Sequence, residues 1–247
     1  MSALLVVLLL AADKPDEASV SVDEVTVNGE PTTTSKASGA AATASTTGQQ
    51  WSVVTARTVG AGANALQGGI GFPGVHAQFM RGITQVLDLG ARVSFNYGLE
   101  GQVACSNRVC RGGDALPPGL RLQGVARYKF YDNGKLNLGA SFAPGLLLYF
   151  PRFIGTQVGF ALPVSGTLGI VVSSAMNVGV TLELPMWILF GQSSSFVLPI
   201  LMGAGFEYFI TSALAVWFDL RMGPSIWTSG VPAAFTFDGK LGVGWRF

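Results

Sequence analysis

Apolar and polar positions alternate along most of this chain. In residues 85–98, one face of the predicted element is apolar and the other carries polar residues and glycine. The same two-sided pattern returns in 119–132, 177–190 and 214–227. A period of two with one apolar face is typical of a β-strand. Because four separate segments share it, the sequence predicts an all-β fold.

Further segments of this kind bring the predicted strand count to about ten. The predicted strands are 58–72, 74–83, 85–98, 119–132, 135–150, 157–172, 177–190, 195–210, 214–227 and 234–247. Eight strands are the alternative, because 58–72 is rich in glycine and alanine and could instead be a terminal segment.

Short turns and longer connections are predicted to alternate. Asp132-Asn133-Gly134 is a strong hairpin signal, since Asn and Gly tolerate the positive φ of such turns. Other short turns are expected near Thr84, Ser173 and Thr211, and the longer connections near 99–118, 151–156, 191–195 and 228–234. Short turns at one end and long loops at the other are typical of transmembrane barrels.

The last strand indicates which class of barrel this is. Leu241, Val243, Trp245 and Phe247 share its apolar face, and the chain stops on the aromatic residue. In these residues it resembles the small bacterial outer-membrane β-barrels, the class of OmpA and OmpW. The resemblance implies a closed antiparallel transmembrane β-barrel over 58–247, located in the bacterial outer membrane of a Gram-negative organism. It also implies that these four residues form the signal recognised by the barrel-assembly machinery, and that outer-membrane lipid surrounds the barrel.

Composition agrees with a membrane protein but not with a helical one. The chain is 49% hydrophobic and 12% charged, against about 25% charged in soluble domains, and its mean hydropathy is +0.45. A polytopic helical protein is the rival fold, because 157–182 carries no charge. Pro163, several Gly and Ser residues and the strand-like alternation of that segment favour the barrel, and a soluble β-sandwich is a third alternative. The formal charge of +1 gives no electrostatic case for nucleic acid as a partner.

The N-terminal 50 residues differ from the rest of the chain. Residues 3–12 form an apolar run that is too short to span a bilayer and fits a signal peptide ending near residue 12. Residues 13–50 are polar and rich in Ser, Thr, Ala and Gly, without a face that could pack. We therefore predict a signal peptide over 1–12 and a disordered periplasmic tether over 13–50.

Charged residues on the polar faces of the strands are predicted to point into the barrel lumen. Five are acidic and seven are basic: Asp88, Arg92, Arg121, Arg127, Lys129, Glu183, Glu207, Asp219, Arg221, Asp238, Lys240 and Arg246. A nearly balanced set can pair across the interior, and a barrel of eight to ten strands is narrow. We therefore expect a lumen that is largely filled by ion pairs, with a narrow water-filled channel as the alternative.

Prolines within the predicted strands suggest a second feature of the wall. Pro144, Pro163, Pro185, Pro199 and Pro224 each lack a donor for the strand ladder, and we expect a β-bulge at each. They fall in the half of the barrel predicted to be extracellular. Interrupted pairing there could relieve strain, or could admit a lipid-like ligand sideways. The aromatic residues predicted to line such a cavity are Trp187, Phe209, Trp217 and Trp227.

The remaining candidate chemistry is sparse. Cys105 and Cys110 lie in the longest predicted loop, and in an exported protein this spacing predicts a disulfide. His76 is the single histidine. Omptin-like proteases use a histidine with acidic partners at the barrel rim, but this chain has no neighbouring aspartate pair of that kind. No metal or cofactor site is expected.

From the sequence we expect a non-enzymatic outer-membrane barrel, structural or binding a small lipid-like ligand, with a largely filled lumen. A narrow, porin-like passive channel for small solutes is the alternative. A surface enzyme centred on His76 is the second alternative.

Overall fold

A computed structural model of the protein describes residues 51–97, 104–106, 109–111, 118–150, 156–190, 195–227 and 234–247. The predicted signal peptide and tether, residues 1–50, lie outside the described residues. For 104–106 and 109–111 the backbone alone is described.

The described residues form one large antiparallel sheet and a separate short hairpin. The strands are β1 (Asn64–Phe72), β2 (Gly74–Gly82), β3 (Leu87–Asn96), β4 (Ala104–Ser106), β5 (Val109–Arg111), β6 (Gly119–Asp132), β7 (Leu136–Phe142), β8 (Gly145–Tyr149), β9 (Gln157–Ser173), β10 (Met176–Phe190), β11 (Ser195–Pro199), β12 (Leu201–Phe209), β13 (Leu214–Trp227) and β14 (Ala234–Arg246). β4 and β5 make the hairpin. β7 and β8 both lie between β6 and β9, and β11 and β12 both lie between β10 and β13, so each pair is one interrupted strand.

The large sheet closes on itself. β1 pairs with β14 in antiparallel register from Ala65 opposite Arg246 to Phe72 opposite Gly239. Beyond β14, the Phe247 N–H donates to the Asn64 carbonyl at 2.9 Å, and the Asn64 N–H donates to the Phe247 carbonyl at 2.8 Å. The result is a closed antiparallel barrel of ten strands. The predicted fold class is confirmed, and the alternative of eight strands is wrong.

The two faces of the barrel wall differ as the alternation predicted. Large apolar side chains such as Leu89, Phe95 and Leu122 are exposed on the outside, while Asp88 and Gln123 are buried inside. An apolar exterior with a polar interior is the arrangement of a barrel in lipid. Within the described residues there is no helix of the length and apolarity needed to cross a membrane.

Connections at the two ends of the barrel differ in length. At one end, which we call the short-turn end, β2–β3, β6–β7, β9–β10 and β12–β13 are joined by two to four residues, and Gly134 adopts φ of 87°. At the other, the long-loop end, β3 and β6 are joined by a long segment that contains the β4–β5 hairpin. Cys105 and Cys110 are backbone partners in that hairpin. Their side chains lie outside the described residues, so the disulfide stays a prediction.

The prolines form a band across adjacent strands, but only partly as expected. Pro144 lies in the break between β7 and β8, and Pro199 ends β11. Pro163 and Pro185 oppose each other in continuous strands, and Pro224 lies within β13 without a register shift. A bulge at these three positions is therefore wrong.

Hydrogen-bond direction explains how Pro163 and Pro224 are tolerated. In an antiparallel strand, the N–H and C=O of one residue point to the same neighbour. The Pro163 carbonyl accepts from the Ala143 N–H, and the Pro224 carbonyl accepts from the Ile200 N–H. The missing donors of Pro163 and Pro224 therefore face the two strand breaks.

The first strand is shorter than predicted. The sequence pattern placed it over 58–72, whereas β1 begins at Asn64. Thr58 and Val59 are buried instead, and the Val59 N–H donates to the Asp88 side chain rather than to the backbone of a neighbouring strand.

Leu182 lies near the middle of β10, and 48% of its surface is exposed. We expect Leu182→Arg to destabilise the folded barrel in bilayers by about 2–4 kcal/mol, because a guanidinium at mid-membrane depth is costly. Equilibrium urea unfolding in lipid vesicles measures this. Ile210→Arg at the short-turn end is the matched control, with an expected cost of about 0–1 kcal/mol. Equal costs at the two positions would contradict a membrane-spanning exterior.

Candidate functional site

The lumen is occupied at its short-turn end by residues 51–59, which we call the plug segment. The Trp51 indole N–H donates to the Ser212 carbonyl at 2.9 Å, and its ring packs edge-on against Phe209 at 5.5 Å. After the plug segment, the Gly62 N–H donates to the Gly82 carbonyl at 2.9 Å, also at the short-turn end. The plug segment therefore enters and leaves through the same end of the barrel.

Inward side chains from three strands accept hydrogen bonds from the plug backbone. The Val53 N–H donates to Glu207 at 2.8 Å, the Ala56 N–H to Asn137 at 2.9 Å, and the Val59 N–H to Asp88 at 3.0 Å. The donors recur at every third residue. Because the barrel wall has no spare backbone groups on its inner face, side chains hold the plug in this place.

Glu207 is fully enclosed, as are the other two acceptors, with 0% of its surface exposed. Besides the Val53 N–H, its carboxylate accepts from the Ser52 hydroxyl at 2.6 Å and from the Asn177 amide at 3.2 Å. A buried carboxylate is stable only when such donors replace water. The plug supplies two of the three, so loss of the plug would leave Glu207 to be hydrated.

Two arginines add further contacts to the plug. Arg127, together with Glu207, Asn137 and Asp88, forms the set of wall residues that we call the seat of the plug. Arg127 bonds to Asp88 at 2.7 Å and donates to the Ser52 carbonyl at 2.8 Å. Arg57, on the plug itself, donates to the Gly134 carbonyl at 2.7 Å and lies 3.4 Å from Asp132. These are polar contacts that water can replace, unlike the packing of an apolar core.

Glycines on four strands make room for the plug. A Cβ at Gly244 would lie 2.6 Å from the Val53 side chain, one at Gly179 2.2 Å from the Val54 carbonyl oxygen, one at Gly169 2.5 Å from the Thr55 Cβ, and one at Gly139 2.8 Å from the Ala56 Cβ. All four values are shorter than real Cβ contacts. Consecutive plug residues thus lie where the wall has no side chain.

Above the plug, toward the long-loop end, lie two adjoining polar cavities, each of about 100 Å³. Val53 and Val54 of the plug line both. Both are also lined by Gln67, Arg92, Pro163, Glu183, Asp219 and Arg221. This volume exceeds what one water needs, so this part of the lumen is open space between polar groups.

Ion pairs line these cavities. Arg221 bonds to both Glu183 and Asp219, and Lys240 bonds to Asp238. Arg92 donates to Gln78 at 2.5 Å. The pairs lie on the wall formed by β10, β13 and β14, while Arg92 and Gln78 lie on the wall formed by β2 and β3.

An apolar cluster fills the lumen on one side of the long-loop half. Its members are fully or almost fully buried: Leu147, Tyr149, Ala161, Trp187, Leu189 and Val197. Arg121 lies 5.6 Å from the Trp187 ring and donates to the Tyr149 hydroxyl at 3.1 Å. The cluster lies next to the band of prolines.

The structure divides the predicted lumen charges among these places. Asp88, Arg127 and Glu207 meet the plug, six others surround the cavities, and Arg121 joins the apolar cluster. Lys129 bonds to Asp132 at 3.2 Å. Arg246 lies beside Gly60, just beyond the plug. Of the aromatic residues predicted to face inward, Trp187, Phe209 and Trp217 are buried, and the Trp227 side chain lies outside the described residues.

Sequence reasoning missed the plug, its neutral acceptor Asn137, and Asn177, which donates to Glu207. Asn137 and Asn177 are fully buried, and each precedes a plug-seating glycine by two residues, in Asn137-Leu138-Gly139 and Asn177-Val178-Gly179. This repeated Asn-x-Gly on inward positions beside short turns is a signal that could have indicated an occupant of the lumen.

His76 lies on the inner face of β2 and contacts the Trp217 ring, with 5.7 Å between ring centroids. It borders one of the two cavities together with Asp238 and Lys240. Asp238 is bonded to Lys240. Among the described residues, no group of three or more His, Cys, Asp and Glu side chains could hold a metal ion. An enzyme centred on His76 stays an untested alternative.

Comparison with known proteins gives likenesses of fold. No protein-family model and no curated protein matches the chain. Among solved structures, the outer membrane protease OmpT from Escherichia coli matches with a TM-score of 0.47 and 8% identity, over 75% of this chain and 96% of that one. The KdgM porin matches with a TM-score of 0.33 and 10% identity, over 75% of this chain and 99% of that one. The same porin in complex with disordered oligogalacturonate gives 0.34 and 9%, with the same coverage. At such identities and TM-scores, the likenesses carry no argument about activity, and the finer resemblance to OmpA and OmpW stays a prediction.

Replacing Gly179 with Val should expel the plug, because its first side-chain carbon would lie 2.2 Å from the Val54 carbonyl oxygen. Arg57 is buried in the plug and offers a built-in trypsin site. We expect trypsin to release a fragment beginning at Thr58 from the variant but not from the parent protein, as measured by mass spectrometry.

Gly166→Val is the matched control, since a Cβ there meets no atom within 4 Å. Equal protection of Arg57 in Gly179→Val and Gly166→Val would contradict the seating of the plug on Gly179.

Proposed function

We propose that this protein is a narrow outer-membrane channel for small hydrophilic solutes, which the plug segment closes from the short-turn side. In the usual orientation of such barrels, that side faces the periplasm. The observation that carries the proposal is the continuity between the plug and the polar cavities, whose floor is formed by Val53 and Val54.

The polar side chains and open space of the lumen support a passage for solutes rather than a solid core. An interior that served only as an anchor could be filled throughout by apolar side chains. Here, paired charges such as Arg221 with Glu183 line open space instead. Hydrated walls of mixed charge suit small polar solutes, and a barrel of ten strands leaves room for little else.

The bonding of the plug supports its role as a gate. Its backbone N–H groups donate to side chains of the wall, and its residues lie on glycines rather than within the ladder of strands. Moving it breaks no strand pair of the barrel wall. Movement exchanges these hydrogen bonds for hydrogen bonds to water, which costs little for each bond, and it also takes the Trp51 and Val59 side chains out of a buried apolar cluster.

Single-channel recording in planar bilayers tests the proposal. We expect the parent protein to be mostly silent, because the plug blocks the lumen, and Gly179→Val to give steady current steps. Gly166→Val should behave as the parent does. A Gly179→Val barrel that trypsin cleaves at Arg57, yet that passes no current, would rule out the channel.

Binding of a lipid-like ligand is the second candidate function. The observation that favours it is the apolar cluster around Trp187 beside the two strand breaks of the proline band. Strand pairing is interrupted there, so an acyl chain could enter from the membrane and displace cluster side chains.

This candidate predicts retention of dodecanoate by the barrel in lipid nanodiscs, measured with radiolabelled ligand. Ala161→Leu should abolish retention, because Ala161 is fully buried in the cluster and the added bulk fills its space. Ala140→Leu, on the exposed face of β7, is the control. Retention no greater than that of empty nanodiscs would refute this function.

A further inference from the structure

We infer that the seat of the plug is a peptide-binding site, which recognises backbone N–H groups at every third residue and accepts a peptide supplied separately from the chain. The inference rests on the proposed displacement of the plug. It adds a ligand class, a short peptide folded back on itself, that could compete with the plug from the short-turn side.

The contacts of the plug are mainly of a kind that a separate peptide can reproduce. Glu207, Asn137 and Asp88 each accept a backbone N–H, from Val53, Ala56 and Val59. Arg127 completes the set by donating to the Ser52 carbonyl at 2.8 Å. All four receptor groups belong to the barrel wall, so covalent attachment of the plug is not part of the recognition.

A few side chains of the plug add sequence preference. The Ser52 hydroxyl donates to Glu207 at 2.6 Å and accepts the Thr55 N–H at 2.9 Å, which fixes the bend of the peptide. Ala56 lies against Gly139, where the wall leaves space for a small residue only. A basic residue at the position of Arg57 meets the Gly134 carbonyl and Asp132. The preferred ligand therefore carries Ser, then a small residue four positions later, then a basic residue.

The seat of the plug must also hold either water or a ligand that donates hydrogen bonds. Glu207 and Asp88 are fully buried with the plug in place. Without an occupant, they need water or another donor, because a buried charge without a partner is strongly unfavourable. Peptide N–H groups supply the donors directly.

The test uses the full chain with an emptied seat. Replacing Val53, Ala56 and Val59 together with Pro removes the three donors and leaves every receptor side chain unchanged. A second variant, from which residues 51–59 are deleted, serves if the first fails to fold. Heat-modifiable gel migration checks folding of both.

The probe is a fluorescent peptide with the sequence of residues 51–59, and binding is measured by fluorescence anisotropy. We expect saturable binding to the emptied barrel and at least about tenfold weaker binding to the parent protein, whose seat is occupied. An N-methyl group on Ala56 should weaken binding by about tenfold or more, since it deprives Asn137 of its donor.

N-methylation of Val54 is the matched control, because within the described residues its N–H has no hydrogen-bond acceptor. Equal affinities of the two methylated peptides, or no binding to a folded emptied barrel, would overturn the inference. The readout is independent of current. Binding without conductance would refute the channel alone, and conductance without binding would refute the peptide site alone.

Discussion

The pairing of β1 with β14 is the contact on which the rest of the structure depends. A membrane interior offers no hydrogen-bond partners, so a sheet can stay there only if it has no free edge. Asn64 and Phe247 bond to each other through both backbone groups at the seam. Once the seam is closed, the outer face can be uniformly apolar and the inner face must provide for itself every polar contact that it buries.

The interior meets that demand in three different ways along its length. Near the short turns, backbone N–H groups of the plug donate hydrogen bonds to Glu207, Asn137 and Asp88. In the middle, opposite charges such as Lys240 and Asp238 pair and leave space for water. Toward the long loops, one side of the lumen is apolar and packed. If the interior served only to fill the barrel, one kind of packing would be enough along the whole lumen. The three different kinds therefore indicate more than filling.

Most of the barrel wall could be predicted from the sequence, but little of the plug could. Strands such as β3 and β6 show a period of two that depends only on which face meets lipid, and turns such as Asn133-Gly134 depend on local backbone preferences; both are visible in a short stretch of sequence. The plug has neither property. Ser52 bonds to a residue 155 positions away, and Ala56 to one 81 positions away. The face that the plug segment presents has meaning only once the barrel exists. The first strand was predicted to begin at Thr58 for the same reason, because Thr58 and Val59 continue the alternation although they lie inside the lumen.

Both limbs of the plug pass through one mouth of the barrel, Trp51 beside Ser212 and Gly62 beside Gly82. Residues 51–62 are therefore not threaded through the cylinder. A segment that ran in at one end and out at the other would be topologically trapped, and could leave only by pulling a terminus along the whole bore or by opening the seam. A loop inserted from one side can leave the lumen and return to it while every strand of the barrel stays in place.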